Sequence, residues 1–213
     1  MSRQQENPLH AAIARLFTPE LPPGRFLLNV TLLSLSALTL AVTVYVALIP
    51  GMAGHLASSG AAGGRFLRQI LTNGLPVVLA VNVASLLLFA RLGAGALTVV
   101  HWAALDLLAR IGLFILLHAA IFAGSALVFG SFGGNSAQAL RVVAPTLLQA
   151  ASFGNLSGAY LYAALLCALP LHVAALSGVR TLPQPVVLAF AVLLALCNAL
   201  VLTAIAAALN LLA

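Results

Sequence analysis

The chain has 213 residues, of which 63% are hydrophobic and 6% charged, with a mean hydropathy of +1.16. A water-facing surface needs roughly a quarter to a third charged residues, so a soluble globule is excluded and long apolar runs read as membrane spans. The formal charge of +6 comes from nine arginines, with no lysine and three acids; the arginines are scattered, which speaks against a nucleic-acid-binding face.

Residues 1–25 form the first predicted unit, outside the bilayer. In "NPLHAAIARLF", Asn7 suits an N-cap and Pro8 the first helical position. Leu9, Ile13, Leu16 and Phe17 share one face, so residues 8–17 read as an amphipathic helix lying on the membrane. The polar opening "MSRQQEN" and the lack of a small-residue cleavage site argue against a signal peptide.

Residues 26–213 then read as one membrane domain of five helices. The first span runs from Phe26 to about Pro50. The composition of "GMAGHLASSGAAGG" predicts a flexible loop, and "RFLRQIL", in residues 65–72, an interfacial approach. The second span is short, from about Gly74 to Ala90.

Ala96 to Phe129 is helix-compatible throughout, about 50 Å at 1.5 Å per residue, against a core of about 30 Å. Only Ile111 to Phe129 is free of charge. Trp102, Asp106 and Arg110 are therefore expected as a stripe at the cytoplasmic interface, with Asp106 and Arg110 as an i, i+4 ion pair. "GSFGGNSAQALRVVAPTLLQAASFGN" separates the third and fourth spans, and its segment 137–151 reads as interfacial or re-entrant. The fourth span is about Leu156 to Leu176, and the fifth runs from Val186 to about Leu212.

Five spans put the termini on opposite sides. Arg3, Arg15, Arg25, Arg91 and Arg180 fall on one side, and Arg65, Arg68 and Arg141 on the other. The positive-inside rule then places the N-terminus in the cytoplasm. Arginine without lysine, amid abundant Ala, Leu and Gly, suggests a GC-rich bacterial genome, and so an inner-membrane location.

The loop "GGNSAQALRVVAPTLL", with its "QALRVVA" run, resembles the bacterial branch of the YIP family, five-span membrane proteins named for interaction with Ypt/Rab GTPases. The likeness continues through "LYAALL" and "RTLPQP" to an apolar last helix, over roughly residues 101–210. It implies an all-α, five-span fold in a membrane and little biochemistry. The acidic-aromatic-glycine motif of eukaryotic members is absent, so Rab binding does not carry over.

Little in the chain points to catalysis. The acids are Glu6, Glu20 and Asp106. Glu6 and Glu20 lie in the polar N-terminal tail, and Asp106 sits beside its counter-charge. There is no HExxH, GxSxG or phosphate-binding glycine loop. Cys167 and Cys197 lie in apolar runs without a CxxC, and read as small packing residues. The expectation is a non-enzyme without cofactor or metal.

His118 and His172, on spans three and four, are the candidate ligands if haem or a pigment is held between helices; otherwise each hydrogen-bonds a neighbouring helix. Asn29, Asn82 and Asn198 are expected to bond between helices, and Gly130/Gly134 and Gly154/Gly158 to allow close helix contact. The leading expectation is a non-catalytic scaffold, assembly factor or accessory subunit, with lipid and other membrane proteins as partners. The alternatives are a transporter or channel for a small or lipidic solute, and a pigment- or haem-bearing subunit.

Overall fold

A computed structural model describes residues 16, 21–92, 99–177, 183, 185–193 and 196–197. The amphipathic segment at 8–17 apart from Leu16, most of the fifth expected span, and Asn198 lie outside the described residues. Among those described, regular structure is helical throughout, and four helical runs are long and apolar enough to cross a membrane: Pro23–Leu48, Gly60–Leu88, His101–Phe129 and Leu156–Val173.

Helix α1 is Pro23–Leu48, with proline in its first turn, where the missing amide hydrogen costs nothing. Its hydroxyls turn back onto the helix: Thr31 donates to the Leu27 carbonyl at 2.7 Å, Ser36 to Leu32 at 2.9 Å and Thr43 to Thr39 at 2.8 Å. Polar atoms on an apolar face are thus satisfied within the helix, as an apolar solvent requires.

The "GMAGHLASSGAAGG" stretch differs from the expected flexible loop. It forms α2 (Met52–Ser58) and α3 (Gly60–Gln69). Gly51 takes φ 76° at the turn, and the Ser59 hydroxyl caps α3 by accepting from the Ala62 amide at 3.3 Å. Alanine's helix propensity and a serine cap outweigh the glycines here. A π-turn, Ile70–Gly74, joins α3 directly to α4 (Leu75–Leu92). The second apolar run therefore starts well before Gly74, and residues 65–72 are continuous with it.

Helix α5, Val99–Phe129, is unbroken over 31 residues. Gly130, Phe132, Gly133 and Gly134 all have positive φ, and a 3-10 turn at Ser131–Gly134 reverses the chain. Gly130 and Gly134 thus serve the turn rather than a helix–helix seam. Helix α6, Ser136–Ala151, follows; the Asn135 carbonyl oxygen of its side chain accepts from the Gln138 amide at 3.0 Å.

Helix α7, Leu156–Leu166, is capped by Asn155, which accepts from the Gly158 amide at 3.1 Å and donates to the Thr146 carbonyl at 2.9 Å. Gly154 lies in the bend between α6 and α7. The expected single fourth span is broken at Cys167–Ala168, and α8 (Leu169–Ser177) resumes it. Pro170 explains the break, because its ring and missing amide disfavour a continuous helix.

The bundle packs α1 on α4 and α7, α5 on α4 and α6, and α6 on α7. Val30, Leu38, Val78, Val81, Leu107 and Phe114 are buried between them. Large apolar side chains also point outward, among them Leu28, Leu48, Leu116, Leu127 and Phe129. Apolar on both faces is the signature of a bundle solvated by lipid. In the short helical stretch at 185–193, Val187 and Ala191 pack against Leu176.

Candidate functional site

The centre of the bundle is polar. Asp106 and Arg110 lie one turn apart on α5 and both face inward, 2% and 1% exposed. Arg110 Nε donates to Asp106 Oδ2 at 3.0 Å. The same carboxylate receives the Ser85 hydroxyl from α4 and, at 2.8 Å, His172 Nε2 from α8. Arg110 Nη1 donates to the Asn82 side-chain oxygen from α4 and, at 3.0 Å, to the Ala164 carbonyl of α7. Asn82 in turn donates to the Ser34 hydroxyl of α1 at 2.7 Å, and Ser34 to the Val30 carbonyl at 2.7 Å.

One hydrogen-bonded network thus touches all four apolar runs. Asp106 and Arg110 cancel in charge, and Ser85, His172, Asn82 and the Ala164 carbonyl bond to them. An ion pair in a low-dielectric interior is tolerated only on those terms.

The break in the fourth run helps to build this centre. In a continuous helix the Ala168 amide would bond the Ala164 carbonyl. Instead it bonds Leu165 at 3.0 Å, and Ala164 is left to accept from Arg110. The turn at Cys167–Ala168 therefore supplies the arginine with a backbone acceptor.

Asp106 and Arg110 were expected in a stripe at the cytoplasmic interface. They are enclosed by protein instead. Four groups from other helices converge on them in place of interfacial water. Trp102 is partly buried, and its ring meets His172 edge-on at 5.9 Å.

A carboxylate only accepts, so His172 Nε2 carries the hydrogen. Its Nδ1 has no hydrogen-bond partner among the described residues. His118 belongs to a different neighbourhood. Its ring centroid lies 4.1 Å from that of Phe114, the two planes tilted by 37°, and its Nδ1 lies 3.1 Å from the Phe114 carbonyl. Among the described residues no group of three or more His, Cys, Asp or Glu comes together.

Of the amides, Asn82 is at the heart of the network, whereas Asn29 donates to the Leu16 carbonyl at 2.8 Å on the outside of α1. Gly158 makes the close helix contact: a Cβ there would lie 2.7 Å from the Ala150 carbonyl oxygen. Ser34, Ser85 and the Ala164 carbonyl were not singled out from sequence. Ser85 follows Asn82 by three residues, which puts both on one face of α4; that spacing was the available signal.

Comparison with family models, with curated proteins and with solved structures finds no match to this chain. The likeness to YIP proteins rests on the sequence pattern quoted above.

Proposed function

We propose that the chain is a non-catalytic, multi-pass membrane protein of YIP-like plan, acting as scaffold, assembly factor or accessory subunit of a larger membrane complex. The observation that supports this reading is the inward closure of its charge. Asp106, Arg110 and His172 are buried and bonded to one another or to neighbouring helices, and together with Asn82 and Ser34 they join the four apolar runs. A rigid bundle with a lipid-facing exterior suits a partner-binding component of a membrane.

In this reading a fifth span at 186–212 completes the fold and the N-terminus is cytoplasmic, in a bacterial inner membrane. Reporter fusions at the two termini are expected to report opposite sides; the same side for both would remove the five-span plan. Purification of the natively expressed protein in a mild detergent, followed by mass spectrometry, is expected to recover an integral membrane partner in fixed stoichiometry. Recovery of the chain alone, at native expression and from several detergents, would count against the scaffold reading.

One observation favours transport as a second reading. A helix broken beside a buried ion pair, with a backbone carbonyl freed, is a pattern found at solute sites of transporters. Proteoliposomes loaded with a pH-sensitive dye separate the two readings. Proton flux that disappears in a folded Asp106→Asn variant would favour transport, and no flux above empty liposomes favours the scaffold.

A further inference from the structure

Helix α3 carries charge that no carboxylate side chain answers. The acids of the chain are Glu6 and Glu20, which precede α1, and Asp106, which is held by Arg110 and His172. Arg65 and Arg68 are both exposed, and among the described residues neither has an ion-pair partner. They are three residues apart and so neighbours on one helix face, where like charges repel. Gln69 adds an exposed amide to the same face, four residues from Arg65.

The depth of this face follows from the length of its helix. Gly60–Leu88 is one apolar run of 29 residues, about 43 Å at 1.5 Å per residue. A hydrocarbon core of about 30 Å takes up about 20 of them. Counted back from Leu88, the core begins at about residue 69. Arg65 and Arg68 therefore fall in the headgroup layer.

The faces of the helix are sorted accordingly. Ala62, Phe66 and Ile70, at steps of four, turn to the bundle. Leu67 and Leu71 do the reverse, at 56% and 44% exposed. They too are four residues apart, and Leu71 follows Arg68 by three, so the leucines border the arginine face. Charged donors at headgroup depth thus meet an apolar strip that leads into the hydrocarbon.

We propose that α3 is a docking face for an anionic phospholipid of the surrounding leaflet, whose phosphate accepts from Arg65 and Arg68 while an acyl chain lies along Leu67 and Leu71. The fork of donors on each guanidinium matches the oxygens of a phosphate. A zwitterionic lipid has the same phosphate, but its own ammonium group already offsets that charge. An acidic protein surface answers the arginines alone and leaves the exposed leucines beside them without a role. The face is separate from the Asp106–Arg110 centre and does not depend on the scaffold reading.

The test uses the full chain in a detergent without net charge. Native mass spectrometry follows binding from an equal mixture of palmitoyl-oleoyl phosphatidylglycerol and palmitoyl-oleoyl phosphatidylcholine, which share their acyl chains and differ in headgroup. One basic side chain near a membrane surface contributes roughly fivefold in binding, so two give an expected preference for phosphatidylglycerol of at least about tenfold. Arg65→Gln combined with Arg68→Gln should bring the preference to within about twofold of none. Arg25→Gln combined with Arg141→Gln removes the same charge from two other exposed positions and should leave the preference within about twofold of the parent's. Thermal unfolding of each variant in the same detergent checks the fold. Either single glutamine variant on α3, expected to lose roughly fivefold, replaces the pair if the pair misfolds. Equal binding of the two lipids by the parent, a preference that survives the loss of Arg65 and Arg68, or the same loss in both double variants would overturn the proposal; the first of these would leave an acidic protein surface as the partner of this face.

Discussion

Arg110→Met is expected to destabilise the bundle by roughly 3–5 kcal/mol, the cost of leaving a buried charge without its partner. Methionine keeps much of the length and loses the guanidinium. Asp106 would then be a carboxylate at 2% exposure, supported by Ser85 and His172 alone. Asn82 and the Ala164 carbonyl would lose their donor at the same time. The companion variant is the double replacement Asp106→Leu with Arg110→Met. Exchanging a whole buried pair for apolar groups is often close to neutral, so the double variant should regain much of the loss. Reversible unfolding in mixed detergent micelles measures both. A single variant within about 1 kcal/mol of the parent would show that water reaches the pair.

Gly158→Ala is expected to cost roughly 1–3 kcal/mol, the usual range for overpacking a tight contact. The added Cβ would meet the Ala150 carbonyl oxygen at 2.7 Å and Phe153 Cα at 3.1 Å. Both are backbone atoms and cannot rotate aside, so the α6–α7 corner must open. Asn155 sits in that corner and joins it through the Thr146 carbonyl and the Gly158 amide; opening the corner strains both bonds. Gly112 and Gly124 on α5 provide the contrast, since a Cβ at either meets nothing within 4 Å. Alanine at those positions should raise stability by about 0.5–1 kcal/mol, because it removes glycine's entropy cost in a helix. Thermal unfolding of the three variants in one detergent compares the signs.

The apolar runs were legible because the bilayer dictates their length, and the ends of α1 and α5 fall close to where hydropathy puts them. The Asp106–Arg110 spacing was legible too, since i, i+4 is set by helix geometry. Which way the pair points was not. That depends on Ser85, Asn82 and His172, which reach it from other helices, and no local pattern in residues 101–118 encodes their arrival. The Gly130/Gly134 spacing looked like a helix seam, but the same spacing spans the positive-φ turn after Phe129. Composition misread residues 51–64, where Ser59 caps a helix that glycine content hides. The π-turn at Ile70–Gly74 likewise leaves no periodic trace in sequence.

The account rests on the charge centre joining separate spans, and the bond between Asp106 on α5 and His172 on α8 is its clearest cross-span link. A double-mutant cycle of Asp106→Asn and His172→Leu, read by equilibrium unfolding in micelles, isolates that link from the Arg110 contact within α5. A hydrogen bond to a charged group contributes about 1.5–3 kcal/mol, so a coupling energy of that size is the expected result. Losses that add to within about 0.5 kcal/mol would mean that the two side chains do not interact, and would contradict the account.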